Sequence, residues 1–201
     1  MLRMTTALLL LGPAIASAQC LTPASLDGGI TVEYGSGDTS YIQRQPDGSI
    51  VDAFIENSSY YGETILFESL DGVVETRWTV HEKDTWEPRS TTRKTYDFTP
   101  ESLAPYSVGM RGVGTTTWAD NRYYDGEKTY SWVGYESAPL VVGDCSYDAV
   151  RIFTYELSIR NEDFYIREIK FLPELGIGLQ LGNSYFGFSA ANAEIVSMAP
   201  S

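Results

Sequence analysis

Histidine is nearly absent from this chain: its 201 residues include one, His81. A serine or cysteine hydrolase needs a base beside its nucleophile. His81 is followed by three charged residues, as in an exposed loop, and no Gly-x-Ser-x-Gly pattern surrounds a serine. We therefore predict no catalytic residue of this kind.

Cysteine is also scarce, with Cys20 and Cys145 only. Zinc sites need clustered cysteine and histidine, so we predict no metal site and no cofactor. Loop carboxylates could still bind calcium, but the acidic residues at 120–127 lack EF-hand spacing. In an oxidising compartment the pair favours a Cys20–Cys145 disulfide over two buried thiols. It would close a long loop, for which chain entropy sets a ceiling of roughly 4–5 kcal/mol.

Basic residues are few: 14 against 27 acidic residues. An acidic surface repels phosphate backbones and anionic headgroups, which argues against nucleic acid and against electrostatic membrane binding. The acidic residues are spread along the chain, as solubility alone would require.

Long hydrophobic runs are missing except at the start of the chain. We predict a signal peptide over residues 1–18, with Gln19 as the first mature residue. Its features are the basic Arg3, an apolar run and the small residues of Ala16-Ser17-Ala18 before the cleavage point. The run is shorter than the roughly 20 residues that span a bilayer. Lipidation of Cys20 is the alternative, but Gln19 is not the small residue such signals prefer. We expect a periplasmic or secreted protein, 19–201 being one β-rich domain without a transmembrane segment.

No helical periodicity is present, and the dipeptide Asp-Gly recurs, as suits tight hairpin turns. With nine to eleven predicted strands, the pattern indicates an all-β antiparallel meander: a half-barrel, barrel or sandwich with at most one or two short helices. Residues 81–106 are predicted to be a long irregular excursion. Within it, Thr99 and Pro100 could begin a short helix.

The clearest hairpin is predicted at residues 63–80. A turn at Asp71-Gly72 places Phe67 and Trp78 on one buried face. Glu68 and Glu75 then oppose each other on the solvent face. Such a pair resembles the two carboxylates of retaining glycosidases, but surface charge explains it better.

A second hairpin, turning at Asp125-Gly126, is aromatic on both faces. The predicted register places Trp118 on the face opposite Trp132. One face would line a cavity or groove while residues 81–106 cover the other. The candidate ligand-binding residues are Trp118, Tyr123, Tyr130 and Trp132; ordinary core packing is the alternative.

Residues 166–178 contain the pattern aromatic-x-Pro-x-Leu-Gly, beginning at Phe171. This strand end resembles one in uncharacterised bacterial envelope proteins, as do Cys145-Ser-Tyr-Asp and the closing residues 193–197. The resemblance covers the last third of the chain. It implies a twisted β half-barrel similar to periplasmic lipid and lipoprotein carriers, and implies no activity and no functional residue.

Three functions remain open. The first is non-enzymatic binding of a lipid or other apolar ligand, or of an envelope protein. The second is a carboxylate-based hydrolase acting on glycans, and the third is a structural or interaction module. The absence of catalytic groups favours the first.

Overall fold

The structure is a computed structural model that describes residues 20–57, 63–82, 87–120, 125–158, 163–185, 188–189 and 194–201. The predicted signal peptide and Tyr123 lie outside these residues. Two short helical segments are present: α1 (Ser25–Gly28) and a 3₁₀ helix (Pro100–Leu103). All other regular structure in this part of the chain is β, so the predicted fold class is confirmed.

Fifteen strands are formed in the described residues. In chain order they are β1 Ile30–Tyr34, β2 Thr39–Arg44, β3 Ile50–Ile55, β4 Glu63–Leu70, β5 Val74–Glu82, β6 Pro88–Tyr96, β7 Arg111–Asp120, β8 Asp125–Glu136, β9 Leu140–Val142, β10 Cys145–Tyr147, β11 Val150–Ser158, β12 Asp163–Leu172, β13 Ile177–Tyr185, β14 Phe188–Ser189 and β15 Ile195–Pro200. This exceeds the predicted number, partly because β6 crosses the stretch predicted to be irregular.

Thirteen of these strands form one antiparallel sheet in the order β14-β13-β12-β11-β8-β7-β6-β5-β4-β3-β2-β1-β15. Strands β9 and β10 form a separate pair. The large sheet rolls into a nearly closed, barrel-like shape. One side of it, here called the inner face, carries the side chains of Phe67, Trp132 and Arg167.

Strand β13 is covered on both faces, which shows how the sheet rolls. Ile177 and Leu179 are buried in one cluster with Ile30, Val32 and Ile50 from β1 and β3. On the opposite face, Gly178 N–H donates to the Asp71 carbonyl at 2.7 Å. The turn between β4 and β5 therefore closes against β13.

The Asp71-Gly72 turn is confirmed. Both residues have positive φ, 49° and 70°, as a type I′ turn requires. Val73 N–H donates to the Leu70 carbonyl at 2.9 Å. Phe67 pairs directly with Trp78 on the inner face, and both side chains are half-buried rather than fully buried.

A disulfide joins Cys20 to Cys145, with the two Cα atoms 5.5 Å apart. It attaches the start of the described chain to β10, and Cys145 belongs to the buried cluster that also contains Ile30 and Ile177. The predicted pairing is confirmed. A disulfide fits an exported protein, because such bonds persist in oxidising compartments. Within the described residues, no helix has the length and apolarity to cross a membrane.

Candidate functional site: an internal cavity beside a buried ionic network

Glu75 does not lie on the solvent face, so that prediction was wrong. The β4–β5 register shifts between Glu68 and Ser69: Glu68 pairs with Arg77, whereas Ser69 pairs with Glu75. Thr76 is therefore the extra residue of a β-bulge, which reverses the side on which the preceding residue Glu75 points relative to Arg77 and Trp78. Glu75 becomes an inner-face residue with 6% of its surface exposed, and Glu68 forms an ion pair with Arg77 outside.

Two cations meet the buried Glu75 carboxylate. Lys94 Nζ lies 2.9 Å from Oε1, and the Arg167 guanidinium donates to Oε2. All three side chains are at least nine-tenths buried. Tyr96 adds to the site by donating its hydroxyl hydrogen to the Glu75 backbone carbonyl at 2.6 Å. A buried charge of this kind is tolerated only when it is paired and hydrogen-bonded.

The network continues along the inner face to Glu156 on β11. This carboxylate forms an ion pair with Lys128 and accepts a hydrogen bond from the Tyr130 hydroxyl. Lys94 Nζ lies 5.2 Å from the centre of the Tyr130 ring, which links the two carboxylate centres.

The electrostatics of the network follow from burial and pairing. Burial alone would raise the pKa of Glu75, but Lys94 and Arg167 outweigh it and hold the pKa below its usual value. Lys94 and Lys128 likewise outweigh burial at Glu156 and hold its pKa below the usual value. Burial and the Glu156 charge raise the pKa of Tyr130, so its hydroxyl stays protonated and donates. Both carboxylates are therefore ionised at neutral pH.

A cavity of about 350 Å³ borders this network. Its walls come from β1–β5 on one side and from β12 and β13 on the other. Glu75 and Arg167 form part of its lining. Much of the remaining wall is apolar: Ile42, Ile50, Phe54, Ile65, Phe67, Val73, Ile169 and Leu181. The cavity is partly open to solvent.

Asp52 is the unusual group in this wall. It lies on β3 between Ile50 and Phe54, and pairs across to Ile42 and Phe67, so its neighbours on the inner face are apolar. Oδ1 is buried and has no hydrogen-bond partner in the described part of the chain. Burial raises the Asp52 pKa from 3.8 to about 7, although the Ser40 side chain opposes the shift.

The aromatic residues predicted to bind ligand lie elsewhere on the inner face. Tyr130 and Trp132 are each 1% exposed, and their rings stack with centroids 5.5 Å apart. Trp118 is half-buried, and Lys128 Nζ lies 5.2 Å from its ring centre. None of the three lines the 350 Å³ cavity. Their binding of a ligand stays a prediction.

The predicted register of this hairpin was wrong. Trp118 pairs with Gly126 and Trp132 with Gly112, so both tryptophans lie on the same face and Asp125-Gly126 begins β8. Gly126 is needed for packing rather than for a turn. A Cβ there would approach the Trp118 indole nitrogen to 2.6 Å, so the indole lies directly over the glycine.

Residues 97–110 cover this aromatic region, as the sequence suggested for part of the segment 81–106. Phe98 and Leu103 pack against Trp132 and its neighbours. Gly112 and Gly114 leave room for them, because a Cβ at either position would come within 2.2 Å of Leu103 or Phe98. This end of the roll is therefore filled, and the space for a ligand lies beside β3 and β4.

No protein-family model, no curated protein and no solved structure matches this chain. Function must therefore be argued from the site itself.

Other sequence candidates do not join the cavity. His81 is half-buried within β5, rather than in the predicted loop. The described residues contain no cluster of three or more histidine, cysteine, aspartate or glutamate side chains that could hold a metal ion.

Sequence reasoning missed Asp52, Lys94 and Arg167. A signal was present for Asp52: in Ile50-Val-Asp52-Ala-Phe54 the acidic residue occupies an alternating position between two apolar ones. The same alternation places Lys94 on one face of β6 together with Thr92 and Tyr96. Arg167 carries a similar signal, because its neighbours at alternating positions of β12 are Tyr165 and Ile169.

Proposed function

We propose that this is an exported binding protein of the bacterial periplasm that holds a small, largely apolar ligand inside its barrel-like sheet. The observation that carries the proposal is the 350 Å³ cavity with apolar walls and a few polar groups. Ligand sites are typically concave and apolar, with volumes of roughly 300–1,000 Å³. The cavity is at the small end of that range, so the ligand is smaller than a two-chain lipid.

The periplasmic location is part of the proposal. The predicted signal peptide over residues 1–18 and the Cys20–Cys145 disulfide support export. Intact mass of envelope-derived protein should give a chain beginning at Gln19. Native mass spectrometry of the same preparation should reveal any small molecule that co-purifies.

Cavity filling tests the binding function directly. Ile65 lines the cavity, and its chain neighbour Leu66 points to the other face of β4. Ile65→Trp should abolish binding of a neutral apolar probe such as N-phenyl-1-naphthylamine, and Leu66→Trp is the matched control of equal added volume. Equal binding by both variants, with both folded by circular dichroism, would exclude the cavity as the binding site.

A second candidate function is carboxylate-based hydrolysis, favoured by one specific observation. Two carboxyl groups of the same cavity have oppositely shifted pKa values: Asp52 is raised and Glu75 lowered. Enzymes use such separation to assign acid and base roles. Cleavage of a small glycoside that is lost in both Asp52→Asn and Glu75→Gln would support this candidate over simple binding.

A further inference from the structure

The Asp52 carboxyl group lacks a positive partner. It lines the cavity, and its partners across the sheet are Ile42 and Phe67. Among the described residues it forms no ion pair, and its buried Oδ1 has no hydrogen-bond partner. The polar neighbour that counters the effect of burial on the Asp52 pKa is the uncharged Ser40 side chain. Burying a carboxylate without a partner is costly, so a group that supplies positive charge here would be held strongly.

The other charged groups facing the cavity do not provide that charge. The titratable ones are Tyr34, Asp38, Glu56, Glu75 and Arg167. Arg167 is the only basic residue among them and is engaged with Glu75. Asp38 accepts hydrogen bonds from the Ser36 hydroxyl at 2.6 Å and from the Asn57 N–H at 2.8 Å. The lining thus carries more carboxyl groups than cations, and the acidic chain as a whole attracts cations.

We propose that the ligand is a small amphipathic amine, whose ammonium group forms an ion pair with Asp52 while its hydrocarbon part packs against the apolar wall. This inference rests on the proposed binding function and specifies its ligand class. An ammonium group donates up to three hydrogen bonds to a carboxylate, which accepts only. The apolar side chains around Asp52 then cover the methylene groups next to the nitrogen.

Proton linkage gives the proposal a second signature. The amine binds the ionised carboxylate, whereas Asp52 with a pKa of about 7 is mostly protonated at pH 6. Binding at pH 6 must therefore release a proton, and affinity should fall by up to about tenfold for each pH unit below 7. At pH 8 the carboxyl group is already ionised and no proton is released from it.

Calorimetric titration with three six-carbon probes separates the possibilities. Wild-type protein should bind hexylamine roughly 10- to 100-fold more tightly than 1-hexanol, as expected for a charge-assisted contact, and hexanoate most weakly. Asp52→Asn should remove that preference, so that hexylamine no longer binds more tightly than 1-hexanol. Asp47→Asn, in the exposed turn between β2 and β3, is the control and should bind like wild type. Repeating the titration at pH 6 in two buffers of different ionisation enthalpy measures the released proton.

The outcomes distinguish this inference from the function on which it rests. If 1-hexanol and hexylamine bind equally, and Asp52→Asn changes neither, the amine proposal is wrong while the binding function stands. Tighter binding of hexanoate overturns the proposal in the same way. If no probe binds the wild-type protein, both the inference and the proposed function fail.

Discussion

Arg167 and Glu75 lie 92 positions apart in the chain, and the guanidinium of one donates to the carboxylate of the other inside the rolled sheet. The contact joins β12 to β5, which are separated by four strands in the sheet order. It therefore bridges the interior rather than neighbouring strands. The pair is possible only because the Thr76 bulge turns Glu75 inward.

Removing the arginine should destabilise the protein strongly. Arg167→Met leaves Glu75 buried with Lys94 alone, and breaking a buried ion pair costs about 3–5 kcal/mol. Arg151→Met is the matched control, because Arg151 pairs with Glu168 on the outer face with 41% of its side chain exposed. That change should cost less than about 1 kcal/mol. Urea unfolding measures both, and equal costs would show that the interior pair contributes no more than a surface one.

Asp52→Asn should stabilise the protein in a pH-dependent way. Well below pH 4 the carboxyl group is protonated in folded and unfolded chains alike. Between pH 4 and its folded pKa of about 7, only the folded chain keeps the proton, so wild-type stability falls as pH rises. The neutral asparagine avoids this loss. Its advantage should grow from near zero at pH 4 to roughly 2–4 kcal/mol at pH 8.

Asp47 provides a control, because its pKa is shifted in the opposite direction to that of Asp52. Hydrogen bonds from the Ser49 side chain and backbone lower the Asp47 pKa, so its contribution to stability is lost as pH falls. Asp47→Asn should therefore give no growing advantage at high pH. Unfolding curves for both variants between pH 4 and 8 test this, and parallel profiles would mean that Asp52 is not buried as an uncompensated acid.

Trp132→Ala should lower stability rather than ligand affinity. Trp132 packs with Tyr130 and Phe98, and losing a buried tryptophan typically costs about 3–5 kcal/mol. Tyr135, on the outer face of the same strand, is 45% exposed, so Tyr135→Ala should cost under about 1 kcal/mol. Thermal unfolding with apolar-probe binding measures both effects. Weakened binding with an unchanged melting transition would instead support a ligand role for the tryptophan.

Replacing both cysteines with serine should cost a few kcal/mol without abolishing the fold. The bridge spans a sequence separation of 125, so its loss frees a long loop in the unfolded chain. The large sheet does not depend on it for strand pairing. Non-reducing mass analysis should find no free thiol in wild type, and complete unfolding of the double variant at 25 °C would show that the sheet cannot form alone.

The fold was largely predictable because its turns and cysteines have local signatures. Asp71-Gly72 adopts positive φ as its sequence demands, and Cys20 and Cys145 had only one possible pairing. The errors arose where side-chain packing overrode local pattern. Gly126 suggested a turn, yet it makes room for the Trp118 indole in a strand.

The cavity was harder to predict because it depends on register between distant strands. One extra residue, Thr76, moves Glu75 from solvent to the interior, and nothing in the local sequence marks the bulge. The partners of Glu75 come from β6 and β12, far away in the chain. Asp52 could have been flagged, since its alternating position falls among apolar residues.

The contact between Gly72 and Gly178 fixes the spacing of two cavity walls, whereas the side chains that face the cavity are free to vary. A Cβ on Gly72 would lie 2.2 Å from the Gly178 carbonyl oxygen, so the spacing of the two walls is set by backbone atoms. Side chains such as Ile65 and Leu181 face the space between these walls without holding them apart. Substitutions there would change the shape and chemistry of the chamber while its outline persists. Ligand preference could therefore diverge by a few exchanges, both in evolution and in the laboratory, provided that the two glycines are kept.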